Sequence, residues 1–267
     1  MTKLCMIGNS HVAAMRNAWN TVAADYPGLD VDIFAQHAKH FANATLTGKG
    51  ALAVEGPRLW RFRAGSDDNR CSEINLANYD AVILVALAFG ANSVFRHYRK
   101  YHWYGMKGRR QQGLTRENFR KAAQSDAEAT AALHLAALIQ PAANVPLFLV
   151  PAPLPSERGY DDEDMPGMIA WRAAAENGDA EALMAMYDEI LAGIGQNGVV
   201  IVAQPEDSKA NFRATLQRYA DNAARTHNDG IRPENDYFHM NDEYGALIWR
   251  GLVQALRRAN VIGGNRT

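Results

Sequence analysis

Two runs in this chain, Ala81-Val82-Ile83-Leu84-Val85-Ala86-Leu87 and Gly198-Val199-Val200-Ile201-Val202, are apolar almost without a break. A strand with one face in water alternates apolar and polar residues, so an unbroken run reads as a strand covered on both faces. That pattern belongs to sheets sandwiched by helices. With the flanking residues the two strands extend over 79–88 and 198–203, and further candidates lie at 3–8, 30–36 and 146–151. Helix-period segments separate them, which predicts an α/β protein with a mainly parallel sheet of about five strands.

The helical segments are legible from their stripes and their punctuation. Val12, Met15, Trp19 and Val22 form one apolar stripe of a helix over 11–25. Residues 116–139 are rich in Ala and Leu and stop before Pro141. Residues 166–193 predict two helices broken at Asn177-Gly178, with Asp179 capping the second. Ser208 is placed to cap a helix carrying Phe212, Leu216 and Tyr219. Residues 241–258 carry Tyr244, Ile248, Leu252 and Ala255 on one face, with Asn241 or Asp242 as the cap. Two stretches interrupt this alternation. Residues 51–64 read as a hairpin turning at Val54-Glu55-Gly56-Pro57-Arg58-Leu59. Residues 95–115 are basic and aromatic without clear periodicity. No repeat, low-complexity tract or linker divides the chain, so 1–267 reads as one domain with decorated loops.

At 267 residues, 48% hydrophobic and 21% charged, the chain can bury a full core. Its net charge of −1 supplies no global field toward nucleic acid or an anionic membrane. No apolar run reaches the length of a bilayer span. Lys3 is followed by only four apolar residues before Gly8, which is not a secretory pattern. Cys5 and Cys71 are the only cysteines and make no disulfide framework. These features predict a cytoplasmic protein with no nucleic-acid or membrane partner; they leave its oligomeric state open.

Three short segments carry chemistry. Gly8-Asn9-Ser10-His11 follows the first strand candidate directly. Ligands of open α/β sheets sit beyond the carboxyl ends of the strands, so Ser10 belongs at that rim. The helix that follows offers unpaired amides and a positive dipole end, which favour negative charge developing on a substrate oxygen. Read structurally, Ser10 or Asn9 simply caps that helix. Near the other terminus stands Asp236-Tyr237-Phe238-His239. His239 can take the proton of the Ser10 hydroxyl, and Asp236, three residues earlier, can hold the His239 Nδ1 side; the bland reading is a turn-capping Asp beside a packed His. Phe89-Gly90-Ala91-Asn92 follows the strand 79–88, where the Asn92 amide can donate to an oxyanion or merely form a turn. The remaining histidines, His37 and His40 among them, lack metal-ligand spacing, so neither a metal nor a cofactor is expected.

Jointly, Gly8-Asn9-Ser10, Gly90-Ala91-Asn92 and Asp236-x-x-His239 resemble the SGNH hydrolases, also called the GDSL family, in order and spacing across essentially the whole chain. The resemblance implies a three-layer α/β/α flavodoxin-like sandwich and a Ser-His-Asp site that hydrolyses or transfers acyl esters. It places the nucleophile at Ser10, the base at His239, its orienter at Asp236, and oxyanion donors at the Ser10 N–H and Asn92. Two positions depart from the family. Asn9 stands where an Asp is usual, and the second glycine block is loose, with Gly48 or Gly50 as its candidate. His11 resembles the G-D-S-H variants of some carbohydrate acyltransferase and esterase domains; it can equally point outward from the first helical turn.

Arg96, Tyr98 and Trp103 in the basic and aromatic stretch suggest a loop overhanging the site, with rings to stack on a sugar and cations for an anionic group. The same residues can instead form a solvated helix or a subunit interface. The expected activity is thus a serine esterase acting on an acyl, for instance acetyl, ester of a carbohydrate or other small molecule. An acyltransferase using the same site and a non-catalytic carbohydrate-binding domain on the same fold are the alternatives.

Overall fold

The computed structural model describes residues 1–63, 69–109, 111–224, 233 and 235–263. Its centre is a seven-stranded sheet. In chain order the strands are β1 (Thr2–Gly8), β2 (Leu29–Ala35), β3 (Leu59–Arg63), β4 (Asn69–Cys71), β5 (Ala81–Val85), β6 (Leu147–Val150) and β7 (Val199–Ile201). Across the sheet they run β7-β6-β5-β1-β2-β3-β4. β1, β2, β5, β6 and β7 are mutually parallel; β3 and β4 add an antiparallel edge. Taken alone, the parallel strands follow the flavodoxin-like doubly wound order, which places a crevice between β1 and β5 at their carboxyl ends.

Apart from the single turns Ala38–Phe41 and Asn92–Phe95, the α-helices among the described residues are α1 (Val12–Val22), α2 (Arg116–Glu128), α3 (Ala131–Ala142), α4 (Ile169–Glu176), α5 (Ala180–Gln196) and α6 (Asp242–Arg258). Successive side chains of a strand point to opposite faces. In β1, Leu4 and Met6 pack with Met15, Trp19, Trp249 and Leu252 of α1 and α6. Cys5 and Ile7 join the opposite cluster, which holds Phe119, Leu135, Trp171 and Leu183 of α2–α5. β5 divides the same way, Ile83 to one side and Val82 and Leu84 to the other. Each apolar run is therefore unbroken because both of its faces are covered, and the molecule is a three-layer α/β/α sandwich. No helix among the described residues is long and apolar enough to cross a membrane.

Several expectations need correction. The segment 51–64 is not a hairpin. Ala51–Ala53 pairs with Thr45–Leu46 and Glu73–Asn75 in a separate three-stranded sheet, whereas Leu59–Arg63 is β3 of the main sheet. Ion pairs tie β3 to β2: Arg61 to Asp32 at 2.8 Å and Arg63 to Asp30 at 2.6 Å. The long helix over 116–139 is two helices, parted by an extended Thr130, and Pro141 lies inside the last turn of α3. No helix follows Ser208; a 3₁₀ turn leads into the antiparallel pair Lys209–Asn211 and Ala214–Thr215. Asp179 precedes α5 without a side-chain cap. Its buried carboxylate accepts hydrogen bonds from Tyr98 Oη at 2.6 Å and from the Lys107 and Gly108 amides at 2.8 Å.

Candidate active site

β1 ends at Gly8, and the chain turns from there straight into α1. A Cβ at Gly8 would lie 2.9 Å from Val12 Cβ and 3.2 Å from Val85 Cβ, so only glycine lets strand and helix approach this closely. Asn9 shapes the turn without a charge: its Oδ1 accepts from the His11 amide at 3.3 Å and its carbonyl from the Val12 amide at 3.1 Å. No side-chain cap closes the start of α1. The Ser10 hydroxyl instead donates to His239 Nε2 at 2.7 Å.

His239 arrives from the far end of the chain, just before α6. Its Nδ1 donates to the Asp236 carboxylate, at 2.8 Å to Oδ2 and 2.9 Å to Oδ1. The carboxylate is itself fixed, because Oδ1 also accepts from the Phe238 and His239 amides at 3.2 Å each. Both side chains are largely shielded, His239 at 17% and Asp236 at 14% exposure, which strengthens their interaction relative to water. Asn241 caps α6, accepting from the Tyr244 amide at 3.2 Å and donating to the Arg218 carbonyl at 2.7 Å. The cap thereby anchors the segment carrying His239.

His11 does not point outward. Its ring stacks on that of His239, with centroids 4.4 Å apart and planes inclined by 17°. The helices behind the two segments are also in contact. Trp249 Nε1 of α6 donates to the Met15 carbonyl of α1 at 2.8 Å, and Gly245 of α6 lies against the Ala14 carbonyl.

Asn92 approaches from β5. After Val85, three consecutive residues hold left-handed backbone: Ala86 (φ 56°), Leu87 (φ 51°) and Ala88 (φ 68°). Such conformations cost non-glycine residues free energy and persist only where surrounding structure imposes them. Here the Ala86 amide donates to the Val150 carbonyl and the Phe89 amide to the Ala86 carbonyl, both at 2.8 Å. The turn delivers Asn92 to the exposed start of the short helix Asn92–Phe95, where its side-chain amide makes no hydrogen bond to the described residues. Asn92 lines a cleft of about 290 Å³ that His11 and Phe238 also line, so all three segments meet at one place.

Other expected site residues are elsewhere. Gly48 sits in the exposed turn joining Thr45–Leu46 to Ala51–Ala53, closed by the Gly50 amide on the Thr47 carbonyl at 2.9 Å. It is not part of the cleft; the chain beside the Ser10 turn is Gln36, whose amide donates to the Gly8 carbonyl at 3.2 Å. Arg96 is paired with Asp126 of α2. Tyr98 is fully buried on Asp179, and Trp103 packs edge-on against Phe119 at 4.9 Å. Tyr98 and Trp103 are thus turned into the core and are not offered to a sugar; Tyr101–Trp103 and Gln112–Leu114 pair in parallel, and Tyr104 between them is exposed. The cleft is walled instead by Phe89, Ala152, Pro153, Pro155, Trp171 and Phe238. Of these, Phe89 beside the Gly-x-Asn segment and Phe238 inside the Asp-x-x-His segment are signalled by their neighbours in sequence; the others are not. Among the described residues no group of three or more His, Cys, Asp or Glu side chains is arranged to hold a metal ion.

Fold and site together define a doubly wound α/β protein in which Ser10, His239 and Asp236 form one hydrogen-bonded chain at the crevice end of the sheet. No protein-family model and no curated protein sequence matches the chain. Solved structures to which it is similar include those of two bacterial proteins. One is a DUF4886 family protein from Bacteroides uniformis, with 10% identity, a TM-score of 0.49, and coverage of 100% of this chain and 86% of that one. Another is a GDSL-like lipase from Bacteroides thetaiotaomicron, with 16% identity, a TM-score of 0.39, and coverage of 97% and 89%. Both likenesses are distant.

Proposed function

We propose that this chain is a serine ester hydrolase of the SGNH type. One observation carries the reading: Ser10 Oγ lies 2.7 Å from His239 Nε2 while His239 Nδ1 lies 2.8 Å from an Asp236 carboxylate that main-chain amides hold in place. A serine hydroxyl is a weak nucleophile until a base takes its proton, and this is the geometry that allows the transfer.

Ser10 Oγ attacks the ester carbonyl carbon as its proton passes to His239 Nε2. Asp236 keeps the Nδ1 tautomer and stabilises the imidazolium that forms. The carbonyl oxygen, now anionic, is met by the Ser10 N–H and the Asn92 amide. Collapse breaks the bond to the alcohol oxygen, which leaves with the proton from Nε2, and the acyl group remains on Ser10. Water then attacks that acyl-enzyme with His239 again as base, releasing the acid and restoring the hydroxyl.

The test is hydrolysis of p-nitrophenyl esters by wild type, Ser10→Ala and His239→Ala. Each variant is expected to lose at least about a thousand-fold in kcat while keeping the wild-type circular dichroism spectrum. A folded Ser10→Ala protein that turns over at the wild-type rate removes the mechanism.

A further inference from the structure

Resting on the hydrolase reading, we infer that the cleft beside Ser10 selects an uncharged, apolar arm of the ester, longer than acetyl. The walls are Phe89, Ala152, Pro153, Pro155, Trp171 and Phe238, with His11 and Asn92 also lining the space, and no Lys, Arg, Asp or Glu among the described residues lines it. A carboxylate or sulfate placed there would lose its water and gain no ionic partner. An apolar chain would lose only unfavourable hydration.

The size is set by fixed parts. Phe89 is fully buried, and Trp171 is buried and stacks on Phe95 with centroids 3.7 Å apart and planes inclined by 9°. Phe238 closes one side: a Cβ at Gly167 would lie 2.9 Å from its Cε2 and 3.1 Å from its Cζ, so the ring rests directly on the Gly167 backbone. The volume of this open cleft is about 290 Å³. With one liquid water (~30 Å³) as the unit, that is room for on the order of ten heavy atoms. An acetyl group leaves most of that space to water; an arm of roughly six to eight carbons fills it.

The arm can belong to the acid or to the alcohol of the ester, so two series are measured. One varies the acyl group of p-nitrophenyl esters from acetate to octanoate; the other varies the alcohol of acetate esters from methyl to octyl. In one of them kcat/KM is expected to rise about three- to four-fold per methylene up to six carbons. A hexanoate analogue ending in a carboxylate is expected to react at least about a hundred-fold more slowly than hexanoate itself. In the series that rises, Phe238→Ala is expected to lower the ratio of kcat/KM for the six-carbon arm (hexanoate, or hexyl acetate) to that for the shortest (acetate, or methyl acetate) by about ten-fold. Flat or falling profiles in both series overturn the inference while leaving the hydrolase reading intact. Binding separates the two ideas further. Calorimetric titration of Ser10→Ala with intact p-nitrophenyl hexanoate and p-nitrophenyl acetate, and with octyl and methyl acetate, reads the cleft without turnover. Tighter binding of the long ester in either pair, with no cleavage by wild type, sinks the hydrolase reading and keeps the cleft's preference. Equal affinity within both pairs overturns the preference whatever the activity.

Discussion

Gly245→Ala adds one methyl group and is expected to damage both stability and activity. Gly245 sits in α6 against the backbone of α1. A Cβ there would lie 2.1 Å from the Ala14 carbonyl oxygen, 2.5 Å from its carbon and 3.0 Å from Ala18 Cβ. Cβ atoms essentially never approach a heavy atom within 3.0 Å, so the two helices must part by about 1 Å. Overpacking of this kind costs about 1–3 kcal/mol. Parting also stretches the 2.8 Å bond from Trp249 Nε1 to the Met15 carbonyl, worth about 1 kcal/mol. Ala returns about 1 kcal/mol in helix propensity. The net loss is about 2 kcal/mol, or roughly 4–8 °C in Tm for a chain of this size. The catalytic consequence is larger. α1 begins just after Ser10 and α6 just after His239, so the same displacement pulls apart a 2.7 Å contact; a misplacement of ~1 Å costs about a hundred-fold in rate. Thermal unfolding and ester hydrolysis well below Tm measure the two effects. Gly251→Ala on the same helix is the control: its Cβ would meet nothing closer than Val202 Cγ1 at 3.8 Å, and it should gain up to about 1 kcal/mol. A Gly245→Ala protein as stable and active as wild type would refute the claim that backbone contact between these helices sets the Ser10–His239 distance.

We further predict that Asn92→Ala lowers kcat by about a hundred- to a thousand-fold with little change in KM, read from steady-state kinetics; unchanged kcat assigns the oxyanion to other donors. Asp236→Asn keeps the shape of the site but removes the charge that holds the His239 tautomer, and should cost roughly ten-thousand-fold in kcat; a loss under ten-fold would show that the main-chain amides alone position the imidazole. Ala88→Gly removes a left-handed penalty of about 1–2 kcal/mol against an unfolded-state entropy cost of about 0.4–1 kcal/mol, so urea unfolding should show a gain of up to about 1 kcal/mol; a destabilised variant contradicts the strain assigned to φ 68°.

The parallel half of the sheet was legible because burial on both faces leaves an unbroken signature, as in Ala81–Val85, whose five residues are all buried. The antiparallel edge was not. β3 reads Leu-Trp-Arg-Phe-Arg, and its arginines look like solvent residues until their partners Asp32 and Asp30 on β2 are known. Tyr98 and Trp103 were misassigned for a related reason. A tyrosine among arginines suggests a surface, yet the carboxylate that satisfies its hydroxyl lies 81 positions away. Ser10, Asn92, Asp236 and His239 could be singled out because each stands where a strand or helix is about to begin or has just ended, and such junctions are written in local residue choice. The cleft could not. Ala152, Gly167 and Trp171 come from separate segments, and nothing in any one of them announces that they share a wall.

The site depends on two interfaces of different kinds. Gly8 lies beside Val85 in the register of β1 and β5, and this pairing positions the Ser10 turn against the left-handed turn that delivers Asn92. Ser10 and His239 are brought together by the packing of α1 on α6, which involves backbone contact at Gly245 and the Trp249 hydrogen bond. Substitutions at the two interfaces should therefore fail differently. Gly245→Ala loosens the base and slows proton removal. Ala88→Gly leaves the Ser10–His239 contact alone and relaxes the approach of Asn92, so it should cost activity even as it adds stability, the trade expected of strain held at a working site. Gly245 packs against Ala14 and Ala18 of α1 whereas Ala88 lies in the turn after β5, so in the double variant the stability changes should add to within about 0.5 kcal/mol. A strongly non-additive result, measured by urea unfolding of the four proteins in the cycle, would mean that sheet register and helix packing are one coupled device.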